Sequence, residues 1–264
     1  MPLGAGGMAS VYKSYHRNRP GELFAVKILK PEHKENQDSI DAFFTEAEIH
    51  QQIPDHPNIV HYMESGLLDE EYYYAMEFVS GDRLTTRIKS SGRMHEEILL
   101  HCLLDLVSAL KHIYDHGYLY RDINAANVIL RDDGNAVLLD FGLTLTIEEA
   151  LQESDDMHVE GTPEFVPPER LYQTGEDVRS VIYSLGMLAF YMLTAEFLIK
   201  AKTVHRTAAR HLSDLRLAST PGIPKDCVPE TVEMIQKMIN PEAEDRFQSL
   251  EELDDAVRRL LDQD

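Results

Sequence analysis

Apolar residues change their spacing near Ser80, and that change constrains the fold more than any other feature of the chain. Ahead of it they come in short β-rich runs, Leu23-Phe24-Ala25-Val26-Lys27-Ile28-Leu29 and Tyr72 to Val79. One helix interrupts them, with Ile40, Phe43, Phe44 and Ala47 at helical spacing, closed by Pro54 and Pro57. Beyond Gly81 the helical period takes over. Leu99, Leu103, Leu106, Leu110 and Ile113 form one stripe ending near Gly117. Leu250, Leu253, Val257, Leu260 and Leu261 form another, opened by Ser249 and Glu252 as a capping box. Val128 to Leu130 and Val137 to Leu139 flank Asp132-Asp133-Gly134-Asn135, a hairpin signature. The pattern predicts an α+β chain of two lobes, β-rich over 1–79 and helical over 80–264, with a ligand cleft between them.

Composition narrows the partners. The chain has 264 residues and is 43% hydrophobic, enough for a sizeable core. Its 46 acidic against 25 basic residues give a net charge of −21. That balance argues against nucleic acid or an anionic membrane surface, both of which need clustered Lys and Arg. It fits attraction to a basic partner. Two cysteines, Cys102 and Cys227, make no disulfide framework and suit a reducing cytoplasm. No signal peptide is visible. Residues 180–195 carry no charge, but the run falls short of the roughly 20 residues a bilayer span needs, so a buried core helix is expected there.

Five separated elements carry the chemistry. Gly4-Ala5-Gly6-Gly7-Met8-Ala9-Ser10-Val11 lies between two strands, and without Cβ atoms such a turn lets backbone N–H groups approach phosphates. Ala25-Val26-Lys27 places a lysine in an apolar strand, and Glu46 lies on the following helix, ten residues before His56-Pro57-Asn58-Ile59-Val60. Tyr120-Arg121-Asp122-Ile123-Asn124-Ala125-Ala126-Asn127 comes third. Asp140-Phe141-Gly142 is fourth, and Gly161-Thr162-Pro163-Glu164-Phe165-Val166-Pro167-Pro168-Glu169 fifth.

In this order and spacing the elements resemble the protein kinase family over nearly the whole chain, and its bacterial-type (eukaryotic-like) serine/threonine members in particular. The resemblance implies a bilobal kinase-like fold and ATP-dependent transfer to Ser or Thr hydroxyls of a protein substrate. Lys27, paired with Glu46, would meet the α- and β-phosphates, and Asp122 would accept the substrate's proton. Asn127 and Asp140 would hold Mg²⁺, or Mn²⁺ in its place. Gly4, Gly6 and Gly7 would cover the phosphates of ATP, while Val11, Ala25 and Ile129 would sandwich the adenine. Met76 would be the gatekeeper, with the backbone of Glu77 to Val79 as hinge. Thr162 would contact Asp122, and Glu169 would pair with Arg246.

The departures from the family pattern are specific. Tyr120 replaces a histidine, and Val181 stands where an aspartate usually braces that loop, so apolar packing of Tyr120 on the helix of Val181 is expected to replace hydrogen bonds. Asn124 replaces the lysine that touches the γ-phosphate, which implies slower transfer. These changes motivate the alternative of a pseudokinase, a nucleotide-binding signalling or scaffold module. Little of a first strand precedes the glycine turn, so that strand is expected to be truncated or absent. Arg121 would in this family grip a phosphorylated residue; Asp156 or a neighbour is expected to take that place, with Ser154 as the phosphorylation candidate. Thr146 and Glu149 read as a capping box.

Overall fold

The computed structural model describes residues 1–16, 19–152, 160–199, 223–224 and 227–262. The front of the chain is one antiparallel sheet. Its strands are β1 (Pro2–Ala5), β2 (Ala9–His16), β3 (Arg19–Leu29), β4 (Tyr62–Leu68) and β5 (Glu71–Glu77), in the order β1-β2-β3-β5-β4. The first strand is therefore present, four residues long and paired with β2. In β3, alternation puts Ala25, Lys27 and Leu29 on one face, and register sets Ala25 opposite Met76 and Lys27 opposite Tyr74. Helix α1 (Gln37–Gln52) buries Phe43, Glu46, Ala47 and His50, and Asn36 caps it by accepting from the Ser39 amide at 3.0 Å.

The rest is mainly helical. A three-stranded sheet of order β6-β8-β9 joins β6 (Asp82–Arg83) to the hairpin β8 (Val128–Leu130) and β9 (Ala136–Leu138), and β7 (Tyr118–Leu119) pairs with β10 (Leu145–Thr146). The helices are α2 (Leu84–Ser91), α3 (Glu96–Asp115), α4 (Ile147–Ala150), α5 (Pro168–Tyr172), α6 (Val178–Thr194), α7 (Pro229–Met238) and α8 (Leu250–Leu261). Residues 180–193 of α6 are all buried, as a core helix requires, and no helix among the described residues is long and apolar enough to cross a membrane. A Cβ on Gly186 would lie 2.6 Å from Ile239 Cγ2 and 2.7 Å from Met238 Cβ, so glycine is what lets α7 press against α6.

The two parts are sewn together by the stretch after α1. Ile59 forms a parallel bridge with Leu138; Val60 donates to the Leu138 carbonyl at 3.0 Å and Leu138 to the Asn58 carbonyl at 2.8 Å. Asp105 on α3 accepts from the Ala136 amide at 2.7 Å, anchoring the hairpin to the central helix. The Thr146–Glu149 capping box opens α4 with both reciprocal bonds. At α8 only half of the expected box forms: Ser249 accepts from the Glu252 amide, but the Glu252 carboxylate takes the Gln248 amide instead. Cys102 is buried and Cys227 partly so.

Candidate active site

A cleft of about 320 Å³ opens where the two parts meet. Val11, Ala25, Lys27, Met76, Glu77, Val79, Ile129, Asn127 and Asp140 line it, as the sequence reading placed them. Gly4 lies in β1 opposite Val11, and Gly6 and Gly7 form the β1–β2 turn, closed by the Gly6 amide on the Ala9 carbonyl at 2.8 Å. The Lys27 ammonium is held by both oxygens of Glu46, at 2.6 and 2.7 Å, and lies 3.6 Å from Asp140 Oδ1. Burial pulls the Lys27 pKa down, but the charges of Glu46 and Asp140 outweigh it and the net shift is upward. Burial pushes the Glu46 carboxyl up to about 7 against the pull of Lys27.

Asp140 sits at φ 57°, a left-handed conformation uncommon outside glycine, and its Oδ1 accepts from the Gly142 amide at 3.1 Å. A Cβ on Gly142 would come within 3.2 Å of Asp140 Oδ1 and 3.4 Å of Glu46 Oε2, so glycine keeps room for two carboxylates. Asp140 and the Asn127 amide supply hard oxygen donors of the kind Mg²⁺ prefers. Among the described residues no three His, Cys, Asp or Glu side chains converge on a metal site. A metal here would therefore need further oxygens from a bound phosphate.

Asp122 is mostly buried, which raises its pKa, while hydrogen bonds from Asn124 and Asn127 act against the rise. Asn124 Nδ2 reaches Asp122 Oδ1 at 2.9 Å and Asn127 Nδ2 reaches Oδ2 at 2.7 Å. Asn124 Oδ1 also accepts from the amides of Ala126 and Asn127. The residue standing in the place of the lysine thus turns into the loop and shapes it. Thr162 makes no hydrogen bond to Asp122 among the described residues; its carbonyl accepts from the Phe165 amide at 2.9 Å.

One expectation for the loop needs correction. Tyr120 is buried, but its hydroxyl donates to the Leu139 carbonyl and its ring meets Phe141 edge-on at 5.7 Å. A hydrogen bond to the residue just before Asp140 therefore braces the loop alongside apolar burial of the ring. Arg121 pairs with Glu176, Nε at 2.8 Å and Nη2 at 2.6 Å. Asp156 and Ser154 lie outside the described residues. The Glu169–Arg246 pair is made at 2.7 Å, with Arg246 fully buried.

Phe141 continues a column of rings into the front sheet. His50 stacks on it at 4.4 Å and meets Tyr62 and Tyr74 edge-on at 5.8 and 5.7 Å. His50 Nε2 bonds the Val60 carbonyl at 2.6 Å, so that nitrogen carries the proton and Nδ1 accepts from the Tyr74 hydroxyl. Burial lowers the His50 pKa to about 4 from the usual 6.5. Between those values the unfolded chain holds one proton more at this site, so His50 makes stability fall as pH drops through the window, by about 3 kcal/mol in full. Glu46, shifted the other way, contributes with opposite sign and masks the slope. Subtracting the pH–stability curve of His50→Leu from that of the parent isolates it; a flat difference between pH 4 and 6.5 would contradict a neutral buried imidazole.

Three side chains at the site had no sequence signal. Arg83 lines the cleft, and its guanidinium bonds the Ala126 carbonyl. Arg170 and Glu176 meet Arg121 from beyond the fifth element. None belongs to the five elements of the sequence reading, and only the fold brings them near Asp122.

A family model described as the protein kinase domain matches residues 1–257. The chain is 30% identical over 268 aligned residues, 99% of its length, to the serine/threonine-protein kinase PrkC of Bacillus subtilis. It is 27% identical over 95% of its length both to a probable serine/threonine-protein kinase of Clostridium perfringens and to one named PknB of Lactococcus lactis. It spans about 40% of the length of PrkC and of that PknB, and 36% of the clostridial protein.

Proposed function

The chain belongs to the protein kinase domain family, and from that premise we propose that it transfers the γ-phosphate of ATP to Ser or Thr hydroxyls of a protein substrate. The observation that carries this reading is the set of groups converging on one cleft: Lys27 on Glu46, Asp140 beside them, and Asp122 held by Asn127. Residues 1–79 and 80–264 then act as the two lobes of one kinase domain.

Each residue has a physical task. The Glu77 amide is already bonded to the His61 carbonyl and that of Phe78 to Leu23, which leaves Val79 as the hinge donor for the base. Val11 and Ala25 cover the adenine and Ile129 supports it from below, with Met76 behind. Lys27 keeps its charge, because two carboxylates outweigh its burial, and offers it to the phosphates. Asp122, made more basic by burial, takes the proton of the attacking hydroxyl, and the two asparagines aim it. Asn127 and Asp140 are the residues that would hold the divalent ion, Mg²⁺ in our reading; when bound it offsets charge on the β- and γ-phosphate oxygens.

The departures that suggested a pseudokinase leave the loop of Asp122 held in place. Tyr120 bonds Leu139 and Arg170 donates to the Arg121 carbonyl, which ties the loop at points other than the acceptor lost at 181, while Asn124 holds Asp122 but brings no charge to the γ-phosphate. The acidity of the chain suits a basic substrate. Intact-mass spectrometry after incubation with Mg-ATP and a basic Ser/Thr protein tests the proposal. Phosphate-sized increments are expected from the parent, and Asp122→Asn is expected to lower their rate by roughly 10²–10⁴-fold, the usual worth of a general base. A parent without increments, or an Asp122→Asn variant as fast as the parent, overturns it.

A further inference from the structure

Outside the cleft, four segments meet at one buried charge cluster. Glu176, between α5 and α6, faces two guanidinium groups. Arg121 reaches it through Nε at 2.8 Å and Nη2 at 2.6 Å, and Arg170 through Nε at 2.9 Å and Nη2 at 2.8 Å. Arg170 Nη2 also donates to the Arg121 carbonyl at 2.9 Å, and Nη1 to the Glu160 carbonyl at 3.2 Å. The Glu176 amide donates to the Ala150 carbonyl at 2.7 Å. Glu176 and Arg170 are 4% and 7% exposed. One carboxylate therefore ties the backbone just before Asp122 to both described ends of the segment that runs from α4 to Gly161.

The charges explain why the cluster persists. Two buried guanidiniums repel each other, and removing either from water is costly without an anion between them. Glu176 supplies that anion; burial raises its pKa, but Arg170 and Arg121 outweigh this and hold it below the usual carboxylate range. Every nitrogen of Arg170 is engaged, and its planar fork matches a carboxylate and two carbonyls at once.

We propose that Glu176 is a positioning residue that holds the loop of Asp122 in place permanently, occupying Arg121 so that no phosphate on the segment before Gly161 is needed for transfer. Arg170 completes the device by supplying the main-chain hydrogen bond at Arg121. The proposal rests on the kinase reading of the cleft, and its test separates the two.

The experiment compares the parent, untreated and phosphatase-treated, with Ser154→Ala, Glu176→Gln, Glu176→Asp and Arg170→Lys. Transfer to the basic test protein and amide hydrogen exchange of the peptide covering 119–127 are both read. Dephosphorylated parent and Ser154→Ala are expected to keep kcat within about twofold of untreated parent. Glu176→Gln is expected to lose kcat by about tenfold or more, the scale of a displaced catalytic group, with the KM for ATP nearly unchanged and partial recovery in Glu176→Asp. Exchange over 119–127 should quicken in step. Arg170→Lys keeps the acid paired but loses the two carbonyl contacts, and carries the same prediction if Glu176→Gln does not fold. Exchange needs no transfer, so a chain that moves no phosphate refutes the kinase reading while the clamp is still decided. Loss of activity on dephosphorylation, or kcat and exchange unchanged in the variants, overturns the proposal.

Discussion

Arg246→Ala is expected to lower the stability of the chain by about 3–5 kcal/mol, the cost of stripping one partner from a buried ion pair. The side chain is fully buried. It donates to the carbonyls of Asn240 at 2.6 Å, Arg179 at 2.9 Å and Pro241 at 2.8 Å, pairs with Glu169 at 2.7 Å, and lies 4.8 Å over the Tyr183 ring. Alanine would leave three acceptors and a carboxylate facing a cavity. For a chain of this size the melting point should drop by about 10 °C. Arg246→Lys should recover only part of that, because an ammonium cannot serve the separated acceptors that a planar fork reaches. A melting point within about 2 °C of the parent in Arg246→Ala would mean that α5, α6 and the turn before α8 are held by packing alone.

Lys27→Met is expected to reduce transfer by roughly 10²–10³-fold, the worth of a preorganised charge aimed at developing negative charge. It should nonetheless fold. Glu46, whose carboxyl burial already pushes up to about 7, can take a proton once its cation is gone. The sign of the pH dependence follows. With the folded pKa above the unfolded value, the folded variant holds the extra proton, so the contribution of Glu46 is largest at acid pH and declines as pH rises through the folded pKa, opposite to that of His50; the difference between Lys27→Met and Lys27→Met/Glu46→Gln isolates it. Measuring nucleotide affinity by thermal shift alongside single-turnover transfer separates binding from chemistry. Full transfer in the variant would remove Lys27 from the reaction, and a difference curve that is flat or rises with pH would remove the buried carboxyl from the account.

How much of this was legible beforehand depended on distance along the chain. The glycine turn, the lysine strand, the loop of Asp122, the turn of Asp140 and the Gly161–Glu169 stretch are each set by a few adjacent residues. The change from alternating to helical spacing near Ser80 marked the β-rich front and the helical remainder. The lining of the cleft followed, because strand alternation and helix period already decide which side chains face inward. The Glu46–Lys27 pair, although spanning two elements, could be anticipated because both elements were placed by their motifs.

The partners of polar side chains that bridge distant segments were settled differently. The tyrosine at 120 suggested apolar packing, but a buried phenol needs an acceptor, and it finds the Leu139 carbonyl just past the end of β9. Arg121 needed an anion, and the described structure brings it Glu176, 55 residues away and outside every motif. Asn124 read as a missing charge and turned out to hold the carboxylate beside it. The sequence alone determined the order of elements, their buried faces and the chemistry each motif brings, since these rest on local geometry and periodicity. The tertiary structure decided which donor meets which acceptor, because a buried polar group takes whichever partner the packing of remote segments carries to within three ångströms.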